Sequence, residues 1–168
     1  RKRLAIEMFE QGNIKGVINV LNEDDMASEA RLAEQEIARG RQLVQAGNEL
    51  IEKGIQTIQE QVEDYILRAK ALMLDIDNSE RFSLACNAYE RAIQLSRNHL
   101  SKAELADHLN AYFSFLYGNN QFTKSEAYIE ECVSIRTELC RDHPETYEPN
   151  LAQSYNNLAV LYSDTQRV

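Results

Sequence analysis

The chain has 168 residues, enough for one domain with a full hydrophobic core. A formal charge of −9 argues against nucleic-acid binding and against docking on anionic lipid, since both need basic surface. No apolar run approaches the roughly 20 residues that span a bilayer, and two prolines and six glycines among abundant Ala, Leu, Glu and Gln favour an all-helical class.

In chain order, residues 4–21 read as a helical pair or one interrupted helix, with Gly12-Asn13 as the break. Asn22-Glu23-Asp24-Asp25 is a polar turn whose acids suit the start of the next helix. From about Met26 to Asp75 there is no proline. Ala30, Ile37, Val44, Ile51, Ile58, Tyr65 and Leu72 are spaced by seven, and Ala33, Gly40, Gly47 and Gly54 form a second row at the same spacing. These are the two seam rows of a heptad, one bulky and one small. Past Gly54 the apolar row shifts by one, to Ile55, Val62, Ala69 and Ile76, as a straight helix drifts against a seven-residue repeat. The pattern predicts either a single long helix or two helices, broken at Gly47 and restarted at Asn48. Glycines in a helix cost about 1 kcal/mol each. Their row therefore predicts close approach of another helix, from residues 4–21 folded back or from a second copy of the chain.

The later punctuation is sharper. Asp77-Asn78-Ser79 is a turn before a helix over 80–96. Ser101 and Glu104 are spaced as a capping box that opens a helix over 102–117, and Thr123 and Glu126 make a second box for a helix reaching about Cys140. Arg141–Pro149 holds both prolines and reads as a loop, with Pro149 in the first turn of the last helix. Cys132 and Cys140 share one predicted helix, about 12 Å apart along its axis. That exceeds the roughly 7 Å between Cα atoms that a disulfide tolerates. A reducing, cytoplasmic setting is expected, and no signal peptide is visible.

An apolar pattern recurs through the second half. Leu72, Met73, Ile76, Phe82, Ala85, Tyr89, Ala92 and Ile93 are repeated 40 residues on by Tyr112, Phe113, Leu116, Phe122, Ser125, Ile129, Cys132 and Val133. Leu158, Ala159, Tyr162 and Val168 match the start of that second copy 46 further on. A period of this length indicates stacked two-helix units. These residues resemble the tetratricopeptide repeat family, whose first helix carries a large residue, Leu, a small residue and an aromatic, and whose second carries alternating aromatics and alanines. Tyr155-Asn156-Asn157-Leu158-Ala159 followed by Leu161-Tyr162 is similar to the long-period variety of kinesin light chains and bacterial signalling proteins. Met73 and Phe113 depart from the pattern, standing where the family prefers Gly or Ala, which puts the helix separation in those units in question.

The resemblance implies an all-α, right-handed superhelical solenoid of antiparallel helix pairs preceded by a long helix. The expected division is an N-terminal region over 1–61 and repeats over 62–168, at about 62–98, 102–142 and a truncated 148–168. Val168 falls where the second helix of the third unit should begin, so the chain is expected to be a piece of a longer repeat protein. The first helices should supply the inner surface, counted from the family positions: Lys70 and Leu74, then Asp107, Asn110, Ser114 and Tyr117, then Gln153, Asn156, Val160 and Ser163. Asn110 and Asn156 occupy equivalent places, 46 apart. An amide both donates and accepts, so it can pair with an extended peptide backbone of any sequence, and in kinesin light chains asparagines at this place serve peptide binding. Lys70 is the only inward base and Asp107 opposes it, which disfavours an acidic tail as ligand.

No catalytic or cofactor chemistry is expected. His99, His108 and His143 lack the four-residue spacing of a helical zinc pair. Asp75-Ile76-Asp77-Asn78-Ser79 begins like a calcium loop, but Glu80 and Cys86 stand where its Gly and Glu belong. The expected partner is a protein or peptide, with no nucleic acid, no membrane, no metal and no cofactor. The alternative is self-association as a homodimer through the long helix and its Ala33, Gly40, Gly47 and Gly54 row.

Overall fold

The computed structural model describes residues 1–165 and is all-helical over them. The helices are α1 (Lys2–Glu10), α2 (Ile14–Val20), α3 (Glu23–Leu74), α4 (Arg81–His99), α5 (Lys102–Gly118), α6 (Phe122–Asp142) and α7 (Pro144–Asp164). Val168, expected to match Phe122, lies outside the described residues. The chain forms two compact units, one covering Arg1–Glu52 and the other beginning at Lys53.

In the first unit α1 and α2 are separate helices. Gly12 joins them at a φ of +71°, a left-handed conformation that costs glycine little. Asn13 caps α2 by accepting the Gly16 N–H at 3.0 Å. The hairpin buries Ala5 but leaves Leu4, Ile6, Phe9, Ile14 and Ile18 exposed. Asn22 opens α3 by accepting the N–H groups of Asp24 and Asp25, and Glu23, Asp24 and Asp25 form the first turn. There they complement the positive end of the helix dipole.

α3 is one helix of 52 residues, about 78 Å long. There is no break at Gly47-Asn48; Gln45 donates across that point to Glu49 at 3.1 Å. The folding-back of residues 4–21 onto the glycine row is not observed. A methyl group built on Gly40, Gly47 or Gly54 would meet nothing within 4 Å. The short helices pack against each other instead, with Arg1 ion-paired to Glu29 near the start of α3.

The second unit is built by helices that alternate in direction. Antiparallel neighbours are tied by Tyr112 to Glu90 and Ser96 to His108 between α4 and α5, and by Cys132 to the Ala106 carbonyl and Arg136 to Asp107 between α5 and α6. Arg136 also bonds the Asn150 carbonyl and Ser154 on α7. Helices of like direction lie side by side. Glu90 meets Lys124 and Arg97 meets Glu131, both pairs 34 apart, so α4 and α6 run parallel. Asn110 meets Asn157 and Tyr117 meets Asp164, both 47 apart, so α5 and α7 run parallel too. Paired helices repeated side by side are the solenoid principle.

The repeated apolar positions form the core. Ala85, Tyr89, Ala92 and Ile93 of α4, Tyr112, Phe113 and Leu116 of α5, and Ser125, Ile129 and Cys132 of α6 are buried, with Val62 and Ala69 from the end of α3. Phe113, too large by the family pattern, is accommodated against Tyr117 at 5.7 Å between ring centroids, and Cys132 of α6 still reaches the Ala106 carbonyl of α5 at 3.2 Å.

Four expectations are corrected. Ile76 is exposed, because α3 stops at Leu74 and places it in the turn. The Ser101–Glu104 capping box forms, but Thr123 caps nothing, since α6 begins at Phe122 with Gln121 before it. The Arg141–Pro149 stretch is not a loop. α7 starts at Pro144, whose missing N–H is harmless in a first turn, and Pro149 sits inside the helix.

Candidate functional site

The residues expected to supply the inner surface lie on α5, on α7 and at the end of α3, which reaches α5 through Gln59 and Glu104. The capping box fixes where α5 begins: Ser101 Oγ accepts the Glu104 N–H and Glu104 accepts the Ser101 N–H. Hydrogen bonding from Ser101 holds the Glu104 carboxyl below its usual range, and Gln59 of α3 donates to the same group at 2.6 Å. The buried side of α5 is Leu105, Ala106, Leu109, Tyr112, Phe113 and Leu116. By helical geometry the other side carries Asp107, Asn110, Ser114 and Tyr117 in one stripe.

Within that stripe the polar groups already have partners. Asn110 is half-buried, and its Oδ1 accepts from Asn157 Nδ2 at 2.9 Å. Ser114 is exposed and donates to the Asn110 carbonyl. Tyr117 is half-buried, stacks on Phe113 and donates to Asp164, a bond that pushes its phenol pKa upward. Asn156 and Val160 of α7 are exposed, as is Lys70 of α3. Asn110 is therefore engaged by Asn157, the neighbour of the residue equivalent to it by spacing.

Beside the stripe a cleft of about 320 Å³ is lined by Gln59, Glu63, Leu100, Glu104, Asp107 and His108. Its character is acidic. His108 shares a hydrogen bond with Ser96 at 2.8 Å, and burial lowers its pKa, keeping the ring neutral. Among the described residues no group of His, Cys, Asp and Glu could hold a metal ion, and the three thiols are unpaired. Burial raises the Cys132 pKa, which leaves that thiol unreactive.

One determinant was missed by the sequence reading. Arg136 is 4% exposed and donates to Asp107 at 2.6 Å, to the Asn150 carbonyl at 2.8 Å and to Ser154 at 2.8 Å. It thereby clamps α7 to α6 and anchors a carboxylate at the edge of the exposed stripe. A signal existed: Ser125, Ile129, Cys132 and Arg136 continue one buried row at helical spacing.

Residues 114–145, which span the end of α5, all of α6 and the start of α7, match the family model of the tetratricopeptide repeat. That stretch is thus similar to a repeat of the tetratricopeptide type, and such repeats are in general protein-interaction scaffold modules. No curated protein and no solved structure gives a significant match to the chain. Among the described residues no helix is long and apolar enough to cross a membrane.

Proposed function

We propose that this chain is a noncatalytic, cytoplasmic module that binds a protein or peptide on the face formed by its first helices. The repeats would run over about 62–98, 102–142 and 148–168 as a right-handed stack of the long-period, kinesin-light-chain-like variety, with residues 1–61 as a separate helical region. The observation that carries this reading is the parallel seating of α5 and α7, held by Asn110–Asn157 and Tyr117–Asp164. Lys70, Asn110, Ser114, Tyr117, Asn156 and Val160 are the proposed contacts. Asn156 is free in space to bond a peptide backbone, and Val160, 43% exposed, offers an apolar neighbour.

The test is selection of a binding peptide from a random library, followed by calorimetric titration of variants. Asn156→Ala and Val160→Asp should each weaken binding at least tenfold. Asn110→Ala should act partly through the loss of Asn157's partner, so thermal stability is measured alongside. Unchanged affinity in all three variants would remove this face from the account. A second reading, self-association through α3, is favoured by one observation: among the described residues nothing meets a methyl built on Gly40, Gly47 or Gly54.

A further inference from the structure

The first half of α3 presents an apolar face to solvent. Ile37, Leu43, Val44, Leu50 and Ile51 are between 56% and 72% exposed. An apolar helix stripe of this extent ordinarily lies against something, and here a methyl built on Gly40, Gly47 or Gly54 meets none of the described residues. Ile37, Gly40, Arg41, Val44, Glu49 and Glu52 line a shallow groove of about 610 Å³ along the same surface.

We propose that a second copy of this chain covers the face, with the two α3 helices antiparallel; this deepens the self-association reading and rests on it. The sizes of the two seam rows select the orientation. In an antiparallel pair each residue of the bulky row lies over the small row of the other copy. One register puts Ile37 over Gly54, Val44 over Gly47 and Ile51 over Gly40, with the reciprocal contacts made by symmetry. Each branched side chain then enters a space left by a missing Cβ, and the layers close evenly. A parallel pair would set glycine on glycine and isoleucine on isoleucine, alternating gaps with bulk that a packed interface does not tolerate.

Charge agrees with that register. Arg41 comes within a turn of Glu52 on the second copy, and Lys53 within a turn of Glu36. Opposite charges flanking an apolar seam fix partner and alignment.

The test is light scattering of the full chain over a concentration series, with a spin-label distance measurement. The expected mass is twice 19.3 kDa. Replacing Gly40→Leu and Gly47→Leu together should weaken association at least tenfold. Leucine forms helix better than glycine, so α3 persists, while Gln42→Leu on the far face should change nothing. A label at Gln35→Cys, in a Cys140→Ser background with the other thiols buried, should report a separation of about 30 Å or more; a parallel pair would give under about 20 Å. A monomer at every concentration overturns self-association altogether. A dimer insensitive to the glycine substitutions overturns this face as the interface. A short label separation overturns the antiparallel arrangement and leaves self-association standing.

Discussion

α5 and the first half of α3 are both amphipathic helices, yet one is enclosed and the other is bare. Leu109, Tyr112 and Leu116 of α5 are fully buried, with α4 on one side, α6 on another and α7 alongside. Leu43 and Leu50 of α3 are 67% and 72% exposed. The residue types are the same, so hydrophobicity alone does not make a core. What differs is the supply of partners. The repeat gives α5 a neighbour at each step, whereas among the described residues nothing meets a methyl built on Gly40, Gly47 or Gly54 of α3.

The contrast is broken most forcefully at the centre of α5. Leu109→Ala should lower stability to urea by about 3 kcal/mol, whereas Leu43→Ala and Leu50→Ala should change it by less than about 0.5 kcal/mol at concentrations where the chain is monomeric. Equal effects would mean that α3 is covered after all. Arg136→Ala should cost about 2 kcal/mol, because Asp107, Asn150 and Ser154 lose their shared donor. Asp107→Asn, at a group 60% exposed, should cost under about 1 kcal/mol.

Smaller effects sharpen the picture at the helix ends. Ser101→Ala should cost about 1 kcal/mol by removing the cap of α5, and Thr123→Ala should be within about 0.5 kcal/mol of neutral, since α6 has no such cap. Circular dichroism melts would separate the two.

The pH dependence is smaller still and has a definite sign. His108 is held neutral by burial, so its folded pKa is depressed. Its contribution is complete above the unfolded value near 6.5 and is lost as pH falls through the folded value. Glu104 is depressed too, and its share fades below the ordinary carboxylate range near pH 4.3. Stability should therefore decline in two stages on acidification. In His108→Gln the first stage should vanish from urea midpoints measured between pH 7 and 5.

The helical class, the repeat and most of its buried positions were legible because burial recurs at helical spacing, as in Tyr89, Ala92 and Ile93. The Ser101 box was legible because its two residues are local to each other. Thr123 has the same spacing, yet the helix starts two residues earlier, at Phe122, which packs onto Tyr117 at 5.5 Å. Pro149 misled because a proline within a helix reads as a boundary, while Pro144 already serves as one. Asn110 was expected to face a peptide, but that Asn157 would reach it depends on how far α7 slides along α5. That is a tertiary quantity with no local signature. Arg136 was hidden for a related reason: its charge reads as surface until the helix on either side supplies its acceptors.

The spacing of contacts in the second unit carries a consequence for how it is made. Its parallel helices meet through residues 34 and 47 apart, so each new helix finds its place against chain that has only just preceded it. Loops of that length close cheaply, and topologies dominated by nearby partners fold fast. On a ribosome, α4 and α5 could settle while α7 was still being synthesised, and growth by one more helix pair would ask nothing of the pairs already in place.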